Sequence, residues 1–268
     1  MSSGYSRLRS SARRWRGSGG QRPSPYFLRL ASPIALLALW QVTLPASVLA
    51  SPATIFGTAW TMTISGQLPH HLLVSLARVA VGLGIGVALG TGLALFAGIS
   101  RWGEAIVDPP MQMLRALPFV GLVPLFILWF GIGETPKVAL VVMGSVFPIY
   151  LNGFAGIRGA DRKLVEAGRV FGLGRRALIR EIVLPAALPQ FLVGLRIASA
   201  LGWLSLVVGE QVNATAGIGF LIADARDFLR TDVIVVGLLV YALLGLGTDA
   251  LIRVAERRIN AGRAGLLA

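Results

Sequence analysis

Apolar residues in this chain gather into six long blocks, over 31–50, 72–99, 111–130, 138–157, 187–208 and 233–252. Each is near the length of about 20 residues that a helix needs to cross a bilayer. The short stretches between them hold most of the charge. The pattern predicts an all-α membrane protein with six transmembrane helices. It places a basic disordered tail over 1–30, a membrane domain over 31–258 and a short tail over 259–268.

Several blocks carry internal features. Gly82, Gly86, Gly90, Ala94 and Gly98 put a small residue at every fourth position of the second block, a ridge against which another backbone can pack closely. Pro118 and Pro124 lie inside the third block. Breaks of that kind are tolerated at membrane depth where protein or a water-filled cavity satisfies the freed carbonyls, so this block is a candidate pathway lining or else a kinked packing helix. The uncharged stretch around Ile55, Phe56 and Trp60 is expected at the outer interface. Glu134-Thr135-Pro136-Lys137 reads as a tight outer turn, and Glu210 to Thr231 as the largest outer loop.

Charge fixes the expected orientation. The 268 residues are 55% hydrophobic and 14% charged with a net charge of +13, too apolar for a soluble domain of this length. Seven arginines in the tail, Arg101, seven basic residues over 158–180 and four after Ile252 make nineteen on one side. Lys137, Arg226 and Arg230 stand on the other. The asymmetry predicts both termini and the 158–187 loop in the cytoplasm, and explains the basic balance better than nucleic-acid binding does. The tail also mimics a transit peptide, or a signal peptide ending Val48-Leu49-Ala50. The length of the first block favours a retained span.

The chain has no cysteine, so disulfides and thiolate sites are excluded. His70 and His71 stand beside Pro69 without a nearby carboxylate, which reads as an interfacial pair rather than a metal site. Lys137 and Lys163 are the only lysines and neither is followed by Ser or Thr, so no P-loop exists here. Arg78, Arg115 and Arg196 fall inside blocks; a charge there faces protein or water, and a cationic path suits an anion. With Pro118 and Pro124 they are the candidate translocation-path residues, interfacial snorkelling or pairing being the alternative. Asp249 is the only acid in a predicted block, which weighs against an ion-coupled secondary transporter. The blocks lack histidine, which weighs against an intramembrane enzyme.

The segment Glu166 to Pro185, EAGRVFGLGRRALIREIVLP, is more particular. Asp161 can cap a helix from Arg162, Gly172 and Gly174 can end it with φ > 0, and a second helix from Arg175 is expected to stop at Pro185. Leu164, Gly168 and Phe171 would share one face of the first helix, Leu178 and Ile182 one face of the second. A basic loop lying on anionic lipid is the plainer alternative, but it would not need these residues at fixed offsets.

Glu166-Ala167-Gly168, then Gly172, then Ile182-x-Leu184-Pro185 resembles the EAA loop of the membrane subunits of bacterial binding-protein-dependent ABC importers. Gly168 departs from the pattern, which usually has a second alanine there. Outside the loop, LPFVGLVPLFILWFGIG from Leu117, FPIYL from Phe147 and GIGFLIADARDFLRTD from Gly217 look like the nitrate, sulfonate and taurine branch, with aliphatic-sulfonate permeases looking closest. The resemblance implies a type I ABC importer transmembrane fold with its core over 72–253 in the bacterial inner membrane, and a transport subunit rather than an enzyme. It implies as partners a second copy of the chain, two ATPase subunits and an extracytoplasmic solute-binding protein. ATP would sit on the partner and no cofactor on this chain. Bicarbonate or a thiamine-precursor pyrimidine stay open as substrates.

Overall fold

The computed structural model describes residues 50–264. The expected basic tail and all but the last residue of the first expected span lie outside that range.

Every described element is helical. Helix α1 is Pro52–Ile64, α2 Gln67–Ile99, α3 Arg101–Ala116, α4 Val123–Phe130 and α5 Glu134–Arg158. Then come α6 Arg162–Val170, α7 Arg175–Leu178, α8 Leu184–Asn213, α9 Ile218–Asp227 and α10 Thr231–Ala264. Among the described residues four helical stretches are long and apolar enough to cross a membrane: 67–99, 134–158, 175–212 and 231–258.

The expected third span is not one helix. Helix α3 starts at Arg101, keeps Pro109 and Pro110 in its body, and ends at Leu117 in extended backbone. A 3-10 turn over Phe119–Leu122 and the eight-residue α4 follow. Pro118 comes straight after the extended Leu117, as the steric limit on a residue preceding proline requires. Pro124 falls in the first turn of α4, where a missing N–H costs nothing. The expected turn at Glu134 to Lys137 is instead the first turn of α5; the chain reverses one step earlier, at Gly131 with φ 74°.

Helix α5 is the centre of the bundle. Its Val141, Ser145, Ile149 and Tyr150 are fully buried. Helix α2 runs parallel to it and presents the glycine ridge: a Cβ at Gly82 would lie 2.6 Å from Val141 Cβ, one at Gly98 2.6 Å from Ile157 Cγ2, and one at Gly90 2.7 Å from the Val146 carbonyl. Helix α8 runs antiparallel on the other flank, where a Cβ at Gly156 would lie 2.8 Å from the Ala187 carbonyl and one at Gly194 2.9 Å from that of Pro148. Hydrocarbon supplies no hydrophobic drive between helices, so packing at backbone contact is what holds this trio together. Helix α10 lies antiparallel along α8, with Trp203 Nε1 donating to Thr248 Oγ1 at 3.1 Å. Helices α1, α9 and α10 share the cluster of Met62, Leu221, Ala225 and Val233.

The ridge can be tested against its own helix. Gly90→Ala drives a methyl into a carbonyl, whereas at Gly84 nothing lies within 4 Å. Helix propensity gains equally in both, so Gly90→Ala should be less stable than Gly84→Ala by about 1–3 kcal/mol in detergent thermal unfolding.

Candidate functional site

The elbow at one end of the bundle is a two-helix unit. Asp161 caps α6 by accepting from the Lys163 N–H at 2.9 Å. At the other end of α6, Gly172 has φ 81°, its N–H bonds the Arg169 carbonyl at 3.0 Å, and the Leu173 N–H bonds that of Gly168 at 3.0 Å. This is a Schellman cap, and only glycine takes its left-handed position without strain. Gly174 has an ordinary φ of -68° and opens the second helix instead of closing the first.

Gly168 lies inside the elbow, where a Cβ would meet Leu178 Cδ2 at 2.7 Å and Ile182 Cδ1 at 2.8 Å. Of the expected face of Leu164, Gly168 and Phe171, the second helix covers Gly168, while Leu164 and Phe171 stay exposed. The Schellman turn folds the second helix onto the side-chain-free surface at Gly168. Val170 and Phe171 are 86% and 85% exposed, and Glu166 and Ala167 are exposed beside them. Nor does the second helix stop at Pro185. It passes through a π turn over Ile179–Val183, in which the Leu184 N–H reaches back five residues to Ile179, and continues as α8. Pro185 sits in the first turn of α8, where its missing N–H is harmless. Arg175 Nη2 donates to the Ile99 carbonyl at 3.5 Å, tying the elbow to the end of α2.

The far end of the bundle holds a network that the hydropathy pattern misses. Glu210, the first residue of the expected outer loop, lies instead within α8 and is 1% exposed. Its carboxylate accepts from Arg78 Nη1 at 2.6 Å, Ser75 Oγ at 2.9 Å, the Gly219 N–H at 2.8 Å and Tyr241 Oη at 3.0 Å. The Ile218 N–H bonds Ser75 Oγ at 2.9 Å and the Gly217 N–H bonds His71 Nδ1 at 3.0 Å. The first N–H groups of α9 are thus capped by side chains of α2 and α8, because Gly217 at the cap has none of its own. Arg78 also reaches Glu134, Nε to Oε2 at 2.5 Å and Nη2 to Oε1 at 2.7 Å, and donates to the Ala216 carbonyl at 2.6 Å. Lys137 Nζ joins Glu134 at 3.1 Å. One signal was available in the sequence: His71, Ser75 and Arg78 are spaced by four and three, a polar stripe on one helix face, continuous with the glycine ridge.

The three arginines of the expected path occupy three separate places. Arg78 is enclosed in the network. Arg196 pairs across to α10, with Asp249 at 3.1 Å and Glu256 at 2.6 Å. Arg115 makes no ion pair among the described residues and lines a cavity of about 220 Å³ with Leu117, Leu122, Phe147 and Leu201. Its neighbour, about 630 Å³, shares Met111, Leu114, Met143 and Val146 with it and includes Glu134 and Thr135, its only polar lining residues among the described residues. Pro118 and Pro124 are exposed on the broken segment beside these cavities.

The two kinds of ion pair should differ in weight. Glu210→Ala takes from buried Arg78 one of its two carboxylates and leaves the Gly219 N–H and the Tyr241 hydroxyl without an acceptor, and should cost about 3–5 kcal/mol. Arg196→Ala breaks half-exposed pairs and should cost less than about 1 kcal/mol. Thermal unfolding of both purified variants measures the contrast.

A family model described as "Binding-protein-dependent transport system inner membrane component" matches residues 82–261. The putative aliphatic sulfonates transport permease protein SsuC of Escherichia coli is 45% identical over 88% of this chain and 90% of its own length. The protein of that name in Bacillus subtilis is 38% identical over 94% of this chain and 93% of its own. Among solved structures, a chain of an amino acid ABC transporter superposes with a TM-score of 0.61 at 20% identity, covering 76% of this chain and 96% of that one.

Proposed function

Because the chain belongs to the family of binding-protein-dependent transport system inner membrane components, we propose that it is the membrane-spanning subunit of an ATP-driven importer for a small anion, an aliphatic sulfonate before taurine or nitrate. Two copies would enclose the passage in a bacterial inner membrane, each with six crossings and with both termini and the elbow in the cytoplasm. Two ATPase subunits would dock on the elbows, and an extracytoplasmic binding protein would deliver the solute. ATP would be held by the partner alone.

The observation that carries this reading is the elbow. A docking element must be rigid, must offer apolar surface to a partner and must be joined to what it moves. The Schellman cap at Gly172 and the packing at Gly168 supply rigidity, Val170 and Phe171 supply apolar surface, and the π turn joins the elbow to α8 without a loop. Closure of the ATPases would then act on a helix that crosses the whole bundle. Mixed Arg115 and apolar lining in the adjoining cavities favours an anion with a short alkyl chain, and the names of the sulfonate permeases support the same choice.

Gly172→Val strains the left-handed cap by roughly 1–2 kcal/mol, which shifts a two-state docking equilibrium about five- to thirtyfold. The variant should insert normally and lose transport. Glu166→Lys reverses an exposed charge without touching the turn and should weaken retention of the ATPase. Uptake by intact cells and co-purification of the ATPase are measured together; wild-type values of both in both variants refute the coupling role.

Arg115→Gln should leave assembly intact and lower anion uptake by about tenfold or more, the worth of one hydrogen bond to a charged group. Unchanged uptake kinetics remove Arg115 from the path.

A further inference from the structure

We propose that Glu134 is a resident counter-ion that the transported anion displaces from Arg78 and Lys137 at the cavity mouth. The inference rests on the anion-importer reading above and adds to it an entry site.

The receptor is built and buried, and its occupant is not. Arg78 and Lys137 are 5% and 4% exposed in their side chains, while the Glu134 side chain is 62% exposed. Arg78 is fixed from behind by Glu210 and the Ala216 carbonyl, so its guanidinium cannot follow Glu134 if that carboxylate leaves. The edge it shows to Glu134 is the Nε and Nη2 pair, two parallel donors that match any group with two oxygens at carboxylate spacing. A sulfonate presents the same two oxygens.

Charge points the same way. Glu210 neutralises one of the two cations, so removal of Glu134 leaves a single positive charge, which suits a monoanion. Glu134 itself lines the larger cavity and stands between it and the two cations, and Val138, Phe126 and Ile85 on the same lining are within reach of an alkyl chain. A purely structural tie between α2 and α5 would gain little from this carboxylate, since an exposed partner is screened by water and α2 already meets α5 along the ridge. Release is also sterically open, since the Glu134 side chain is more than half exposed where it meets the two buried cations.

The exchange predicts that Glu134 competes with the substrate. In nanodiscs holding the full chain, ethanesulfonate binding is followed by thermal shift against chloride at equal ionic strength. Glu134→Ala should bind ethanesulfonate about tenfold tighter than wild type, the factor by which a competitor present about nine-tenths of the time depresses apparent affinity. Glu134→Gln, which keeps the side chain's shape, should gain in the same direction. Adding Lys137→Gln to Glu134→Ala should abolish the gain by removing the surplus charge. Equal or weaker affinity in both Glu134 variants, or a gain that chloride reproduces, overturns the proposal, including when the variants are less stable. Uptake of ethanesulfonate by cells carrying the wild-type chain is scored separately. Its absence refutes the importer reading, while the binding comparison still decides the exchange.

Discussion

A buried carboxylate organises the far end of this molecule. Buried backbone groups must find a hydrogen-bond partner, so the buried start of α9 depends on side chains that satisfy it. His71 and Ser75 take the Gly217 and Ile218 N–H groups, and Glu210 takes that of Gly219 while holding Ser75, Arg78 and Tyr241 in place. Four helices, α2, α8, α9 and α10, are tied at one point. The negative charge also lies at a helix N-terminus, where the peptide dipoles favour it.

The rest of the bundle follows from small residues. On one flank the small residues belong to α2, whose Gly82, Gly90 and Gly98 receive Val141, Ile149 and Ile157 of α5; on the other, Gly144 and Gly156 of α5 receive Ser205 and Ala187 of α8. The cavities arise where this rule stops. Helix α4 is short and preceded by a break, so it touches α5 through Val123 and Phe126 and leaves the adjoining surface open.

Much of this was legible in the residues. The glycine spacing identified a close helix contact, the elbow motif identified a capped two-helix unit, and Asp161 and Gly172 do what their types allow. The misses share a cause. Hydropathy ends a span at the first charge, so the pattern cuts α8 at Val208 and leaves Glu210 and Glu134 outside, although Arg78 and Lys137 together balance both carboxylates. Asp249 was accordingly not the only acid in the bundle, and the case against ion coupling rests on the family rather than on that count. The third block has enough apolar length for a helix, but length says nothing of where Pro118 divides it. The fate of Pro185 was illegible too, because a π turn is a local compromise between two helices and has no composition of its own.

That π turn has a consequence for how motion travels. Residues 175–212 form one helical run, so the elbow and Glu210 are the two ends of a single shaft with a definite angular phase between them. Each residue in an α-helix advances that phase by about 100°, and a π turn holds back part of one step. The five residues from Ile179 to Val183 therefore set the bearing of the elbow relative to the carboxylate at the other end. A twist applied to the elbow would reach Glu210 as a rotation, with slack taken up at the π turn and at Pro189 inside α8.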